Sequence, residues 1–187
     1  MFKASETIAI FGGSFDPPHI GHQAIVNKAI LMLNIDKLII IPSFLNPFKK
    51  SSLATPNQRL EWTRKVFAHL PKVVVDDYEI QQGKATPTAQ SVQHLQHRYD
   101  VKYLIIGSDN LADITKWYAF EWLNAQITWV IATRSGYLVD TEPLRSFELL
   151  EIDEKISSTQ IRQELDISPI DSSIQHDVLE VLQQPKD

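Results

Sequence analysis

The chain has 187 residues, 43% of them hydrophobic, enough for one substantial core and short for two. It has no cysteine, which excludes disulfides, thiolate metal sites and thiol nucleophiles, and no run of about 18 uncharged apolar residues, so no membrane-spanning helix is expected. With 18 Lys and Arg against 23 Asp and Glu, the net charge of -5 argues against a broad nucleic-acid surface and leaves room for a local positive pocket holding a small anion. The first residues lack the pattern of a signal peptide, so the expectation is a soluble, cytoplasmic protein forming a single domain over 1–187.

In chain order, Ile8 to Phe11 reads as a buried strand and His22 to Leu33 as a helix with Ile25, Ala29, Ile30 and Leu33 inward. Lys37 to Ile41 is a second strand stopped by Pro42. Thr55 and Pro56 open the next helix, with Gln58 completing a capping box. Val73 to Val75 is a third strand, and Thr88 to Tyr99 a helix presenting Val92, Leu95 and Tyr99. Lys102 to Ile106 and Thr128 to Ala132 are strands flanking a mostly helical segment that carries Trp117 and Trp122. A short strand over Phe147 to Ile152 precedes "ISSTQIRQEL", where Ser157 and Gln160 form another capping box, and an amphipathic helix over Ile174 to Leu182 follows. Continuous apolar strands alternating with helices predict an α/β fold, a doubly wound parallel sheet with helices on both faces. Ligands of such sheets sit beyond the carboxyl ends of the strands, where the strand order reverses.

The first strand runs at that end into "FGGSFDPPHIGH", Phe11 to His22. Gly12 and Gly13 let a ligand approach the backbone, whose N–H groups, with those of the next helix start, make an anion site. A tight turn with no ligand is the competing account. His19 and His22 flank Gly21, and with a helix starting near His19 both rings lean over one site, donating to phosphate oxygens whether protonated or neutral. The spacing is neither a helical zinc pair nor a P-loop.

"GGSFDPPHIGH" together with "ISSTQIR" resembles the nucleotidyltransferase superfamily, with its (T/H)xGH and ISSTxxR motifs. Within it, "IIGSDNLADITKWYAFEWL" and "VIATRSGY" extend the likeness to the bacterial nicotinate-nucleotide adenylyltransferases over nearly the whole chain. The resemblance implies that ATP and nicotinate mononucleotide are joined to deamido-NAD with release of pyrophosphate, with Mg²⁺ accompanying the ATP. It implies His19, His22 and Arg162 as catalytic, and Gly12, Gly13, Ser14, Phe15, Gly107, Asp109, Ser157, Ser158 and Thr159 around ATP. Trp117 would stack on the pyridine, with Thr86, Thr88 and Lys49 near the mononucleotide, and no protein metal site is expected. The segment from about 153 to 187 would complete the ATP site. A helix cap is the rival role for Asp109, and an ordinary capped helix with a solvated arginine the rival for Arg162.

Departures from the family pattern lie on the acceptor side. Ser43 and Phe44 stand where amides are common, Phe48 where a histidine is common, and Pro87 where tyrosine is frequent, while Lys49 and Lys50 remain. Trp62, Trp122 and Trp129 are assigned to the core, and His69, His94, His97 and His176 to the surface. Rival readings are nicotinamide mononucleotide as the acceptor, phosphopantetheine adenylyltransferase, which typically has threonine at His19 and lacks the tryptophan segment, and a non-catalytic nucleotide sensor.

Overall fold

The computed structural model describes residues 5–45, 52–134, 136–153 and 156–183. Six parallel strands form one sheet: β1 (Thr7–Gly13), β2 (Lys37–Pro42), β3 (Val73–Val75), β4 (Asp100–Gly107), β5 (Thr128–Arg134) and β6 (Phe147–Ile152), in the order β3-β2-β1-β4-β5-β6. The chain winds outward from β1 to β3, returns to lay β4 on the other side of β1, and winds outward again. The reversal falls between β1 and β4, whose carboxyl ends are the glycines Gly12, Gly13 and Gly107. A crevice opens there, as in any doubly wound sheet.

The uninterrupted apolar strands follow from burial on both faces. Ala9 and Phe11 point to one face with Leu38, Ile40 and Val130, while Ile8 and Ile10 point to the other with Ile39, Ile41, Leu104 and Trp129. Helices α1 (Ile20–Met32), α2 (Pro56–Phe67), α6 (Ser158–Glu164) and α7 (Gln175–Leu182) cover the first face through Val26, Trp62, Ile161 and Val178. Helices α4 (Thr88–Gln96) and α5 (Phe120–Gln126) and a 3₁₀ helix (Ser108–Lys116) cover the second through Val92, Leu95, Leu123 and Ile114. A single turn, α3 (Tyr78–Gln81), links β3 to the loop before α4.

The differences from the sequence reading have local causes. Each central strand runs on to its glycines because the parallel ladder continues to Gly13 against Pro42 and Gly107 against Ala132. The helix expected to reach Tyr99 ends at Gln96, since Asp100 already pairs with Thr7 in β4. Thr55 and Gln58 form the reciprocal capping box of α2. At α6 only half of the expected box is present: Ser157 Oγ accepts from Gln160 N at 3.1 Å, but the Gln160 amide donates to Glu164, one turn on. Trp62 and Trp129 are buried, and Trp122 is half-buried against the second core. His94 is not a plain surface residue. It is half-buried, stacked on Tyr78 with 3.9 Å between ring centroids.

Candidate active site

The glycine loop ends in a helix cap built from histidines. His19 is the N-cap of α1, its Nδ1 accepting from Gly21 N at 3.1 Å, and His22 Nδ1 accepts from His19 N at 3.2 Å. This is a capping box in which imidazole nitrogens replace the usual oxygens. With Nδ1 of His19 accepting, the ring proton of its neutral imidazole sits on Nε2. The rings lie 3.9 Å apart, and His22 rests at 4.9 Å from the Phe15 ring. Burial pushes the His19 imidazole down to about 4, so it is neutral near pH 7. Gly21 is the residue that permits this fold-over: a Cβ there would stand 3.0 Å from His19 Cε1 and Nδ1.

Gly12 faces open space, where a Cβ would meet nothing within 4 Å, so its backbone is free for close approach. Gly13 is constrained from below, since a Cβ would lie 3.1 Å from the Phe15 ring. That ring is sealed in the core at 1% exposure, and Phe15 holds a left-handed φ of 48°. Its side chain is thus out of reach of a ligand, and only its main chain belongs to the loop. Ser14 is half-buried, its carbonyl held by Arg59.

The second motif docks on the first. Arg162 Nη1 donates to Asp16 O at 2.6 Å and lies 3.7 Å from Asp16 Oδ2, while Nη2 donates to Thr159 Oγ1 at 3.2 Å. Ser158 Oγ donates to Pro17 O at 2.9 Å, so its hydroxyl proton is spent on the loop rather than on a ligand. Ser157 and Thr159 act as acceptors and keep their protons. Ile20 N donates to Pro169 O and Gln23 Nε2 to Asp171 Oδ2, tying α1 to the segment after α6.

Beside this seam, a cavity of about 310 Å³ opens over the reversal point. Its lining includes Gly12, Gly13 and Gly107, Thr86 and Thr88, and Trp117. Trp117 is half-buried, edge-on to Trp129 at 6.1 Å. Thr86 is 3% exposed and donates to Lys84 O at 3.2 Å. Asp109 is exposed in the first turn of the 3₁₀ helix, its carboxylate accepting from Asn110 Nδ2 at 3.2 Å; the cap position is Gly107, so Asp109 is not a helix cap. Lys49, with Lys50 and Phe48, lies outside the described residues. Among the described residues no group of three or more His, Cys, Asp or Glu side chains is placed to hold a metal ion.

Comparison with known proteins settles the family. A cytidylyltransferase-like family model matches residues 10–164. A probable nicotinate-nucleotide adenylyltransferase of Sulfurovum sp. (strain NBC37-1) is 58% identical over 185 residues, covering 99% of this chain and 98% of that protein. The chain belongs to the nicotinate-nucleotide adenylyltransferase family. Another relative of that name, from Aliarcobacter butzleri (strain RM4018), is 47% identical over 174 residues, 92% of this chain and 94% of its own. The fold also matches solved structures at 23% identity. The Plasmodium falciparum nicotinic acid mononucleotide adenylyltransferase complexed with NaAD gives a TM-score of 0.72 over 95% of this chain and 94% of that one. A putative nicotinate-nucleotide adenylyltransferase from Vibrio parahaemolyticus gives 0.64 over 96% and 99%.

In this adenylyltransferase several residues around the site escaped sequence reasoning. Asp16 is 4% exposed and accepts from Leu53 N at 2.8 Å and Ala54 N at 3.0 Å, bridging the glycine loop to the stretch before α2. Arg59 is fully buried and donates to Ser14 O at 2.6 Å, Phe44 O at 2.7 Å and Ala54 O at 3.3 Å. The signal for Arg59 was present: it lies on the same stripe of α2 as the buried Trp62, Thr63 and Val66, where a cation needs partners. Glu79, buried on a one-turn helix beside the cavity, had no such signal.

Proposed function

We propose that the protein transfers the adenylyl group of ATP to the 5′-phosphate of nicotinate mononucleotide, giving deamido-NAD and pyrophosphate. The observation that carries this reading is the docking of Arg162 and Ser158 on Asp16 and Pro17, which joins the start of α6 to the loop that runs from the cavity-lining Gly12 and Gly13 into the histidine cap. Two polyanions need such a place, with donors on one side and an apolar slot on the other.

A phosphate oxygen of the mononucleotide bonds to the α-phosphorus of ATP as the bridging oxygen to the β-phosphorus leaves with pyrophosphate. That nucleophile is ionised near neutral pH, so the protein supplies positioning and charge stabilisation rather than a base. His19 and His22 donate from Nε2 to phosphate oxygens, each worth about 3 kcal/mol in the transition state by analogy with an oxyanion-hole donor. The backbone of Gly12, Gly13 and Ser14 receives the phosphates, the hydroxyls of Ser157 and Thr159 meet the leaving group, and Arg162 supplies permanent charge. Asp109 accepts from the ribose hydroxyls beside Gly107. Trp117 stacks on the pyridine, with Thr86 and Thr88 at its rim and Lys49 toward the mononucleotide phosphate.

The donor set suits Mg²⁺ bound to ATP. Imidazoles and hydroxyls are poor ligands for a hard cation that prefers anionic oxygen and water, so the phosphates would hold the ion, which would neutralise charge on the triphosphate. Pyrophosphate release from ATP tests the reading with each pyridine mononucleotide in turn. Release with nicotinate mononucleotide is expected; ATP binding without turnover on either would reduce the protein to a sensor, and faster turnover with the amide would overturn the acceptor alone.

A further inference from the structure

The cavity has a polar wall that the steps above leave unused. Glu79 on α3 lines it at 7% exposure. Ser91 Oγ, on α4, donates to Glu79 Oε1 at 2.7 Å, while Oε2 receives no hydrogen bond from any described residue. Ser43, just past β2, also lines the cavity; its N–H donates to Gly13 O at 2.9 Å, yet its Oγ is buried without a partner among the described residues. Buried polar atoms are nearly always paired, so the Ser43 hydroxyl, on the same cavity as a Glu79 oxygen that no described residue donates to, points to a ligand that engages both.

We propose that Glu79, in its acid form, together with Ser43 reads the pyridine substituent and makes a carboxylate preferred over a carboxamide. This rests on the adenylyl transfer to a pyridine mononucleotide proposed above.

The bonding pattern dictates the chemistry. Because Oε1 accepts from Ser91, the proton of the acid form sits on Oε2, the oxygen left for a ligand. An O–H there donates to a substrate carboxylate, a hydrogen bond strengthened by the acceptor's charge. Once ionised, the same oxygen repels a carboxylate and accepts from the N–H of a carboxamide. Ser43 Oγ serves either substituent, since a hydroxyl both donates and accepts.

Both forms are within reach near neutrality, because burial pushes the Glu79 carboxyl up to about 7, with the Ser91 bond opposing. Charged neighbours are engaged elsewhere. Lys116, the other charged residue on the cavity, pairs with Asp113 at 2.5 Å with its side chain 72% exposed. Ahead of α3, Asp76 lies 3.6 Å from Arg98 and Asp77 2.9 Å from Arg64, and His94 of α4 stacks on Tyr78.

The test is kcat/KM for nicotinate and nicotinamide mononucleotides from about pH 6 to about pH 8.5, in the wild type and in Glu79→Gln, which keeps an oxygen for Ser91 and a permanent donor for the ligand. Groups common to both substrates, the 5′-phosphate included, cancel in the acid-to-amide ratio. If only the acid form accepts the carboxylate, that ratio falls by roughly tenfold or more across this range in the wild type and is flat in the variant, since kcat/KM reports the free enzyme's groups. A wild-type ratio that does not change with pH, or one that falls equally in Glu79→Gln, would overturn the assignment. Should the variant not fold, the wild-type profile alone decides. No turnover with either mononucleotide would instead defeat the parent reading, a distinct result.

Discussion

His19→Asn isolates the energetic cost of burying an imidazole in a helix cap. Asparagine is itself a preferred N-cap, so its Oδ1 accepts from Gly21 N where Nδ1 did, and the substitution removes the titration while keeping the cap. His19 falls from 6.5 in the unfolded chain to about 4 in the fold. The unfolded state therefore binds more protons between those values, and stability rises with pH across that window. It is fully present above about 6.5 and drains as the pH falls toward 4. A shift of this size corresponds to about 3 kcal/mol in total, of which about 2.5 is lost between neutrality and pH 4.5. Urea denaturation followed by fluorescence of the buried Trp62 and Trp129, run at a series of pH values, gives the stability of both proteins. On acidification the wild type should lose that amount of stability relative to the variant, because only the wild type carries the buried imidazole. A difference independent of pH would show that His19 titrates alike in both states and refute the argument.

Gly21→Ala should cut turnover at least tenfold with the fold retained by circular dichroism, because the new Cβ displaces the His19 ring from 3.0 Å away. Arg162→Ala should remove the tie to Asp16 O, costing about 2 kcal/mol in urea titrations, and should lower kcat by more than tenfold, with Arg162→Lys restoring little of either because lysine lacks the planar fork. Arg59→Met should destabilise by about 3 kcal/mol or more, since it leaves the carbonyls of Ser14 and Phe44 without their donor, and calorimetry measures the loss.

What sequence reading captured was whatever repeats or caps. Runs such as Leu38 to Ile41 announce strands buried on both faces, Thr55-Pro56 with Gln58 announces a helix start, and the two motifs mark the reversal point. Interactions set by tertiary geometry stayed hidden. Gln160 had two partners in reach, its cap and Glu164, and the sequence carries both options. His94 became half-buried only because α3, too short for any periodic pattern, brings Tyr78 under it. The same turn buries Glu79, an acid in a stretch that reads as a polar loop. That the Phe15 ring packs in the core, beside glycines open to a ligand, follows from tertiary packing that no local pattern shows. The histidine cap was half legible: the pair was visible, but not that each ring accepts a backbone N–H through Nδ1.

The hydrogen bonds from Arg162 to Asp16 and from Ser158 to Pro17 span 146 and 141 residues of chain. Closing loops of this length costs conformational entropy, which the intervening strands offset by holding the two segments at one sheet edge. A chain that has not reached α6 holds the glycine loop and both histidines without the arginine and serine that dock on the loop, so under the roles proposed above an activity assay on refolding protein reports the arrival of α6.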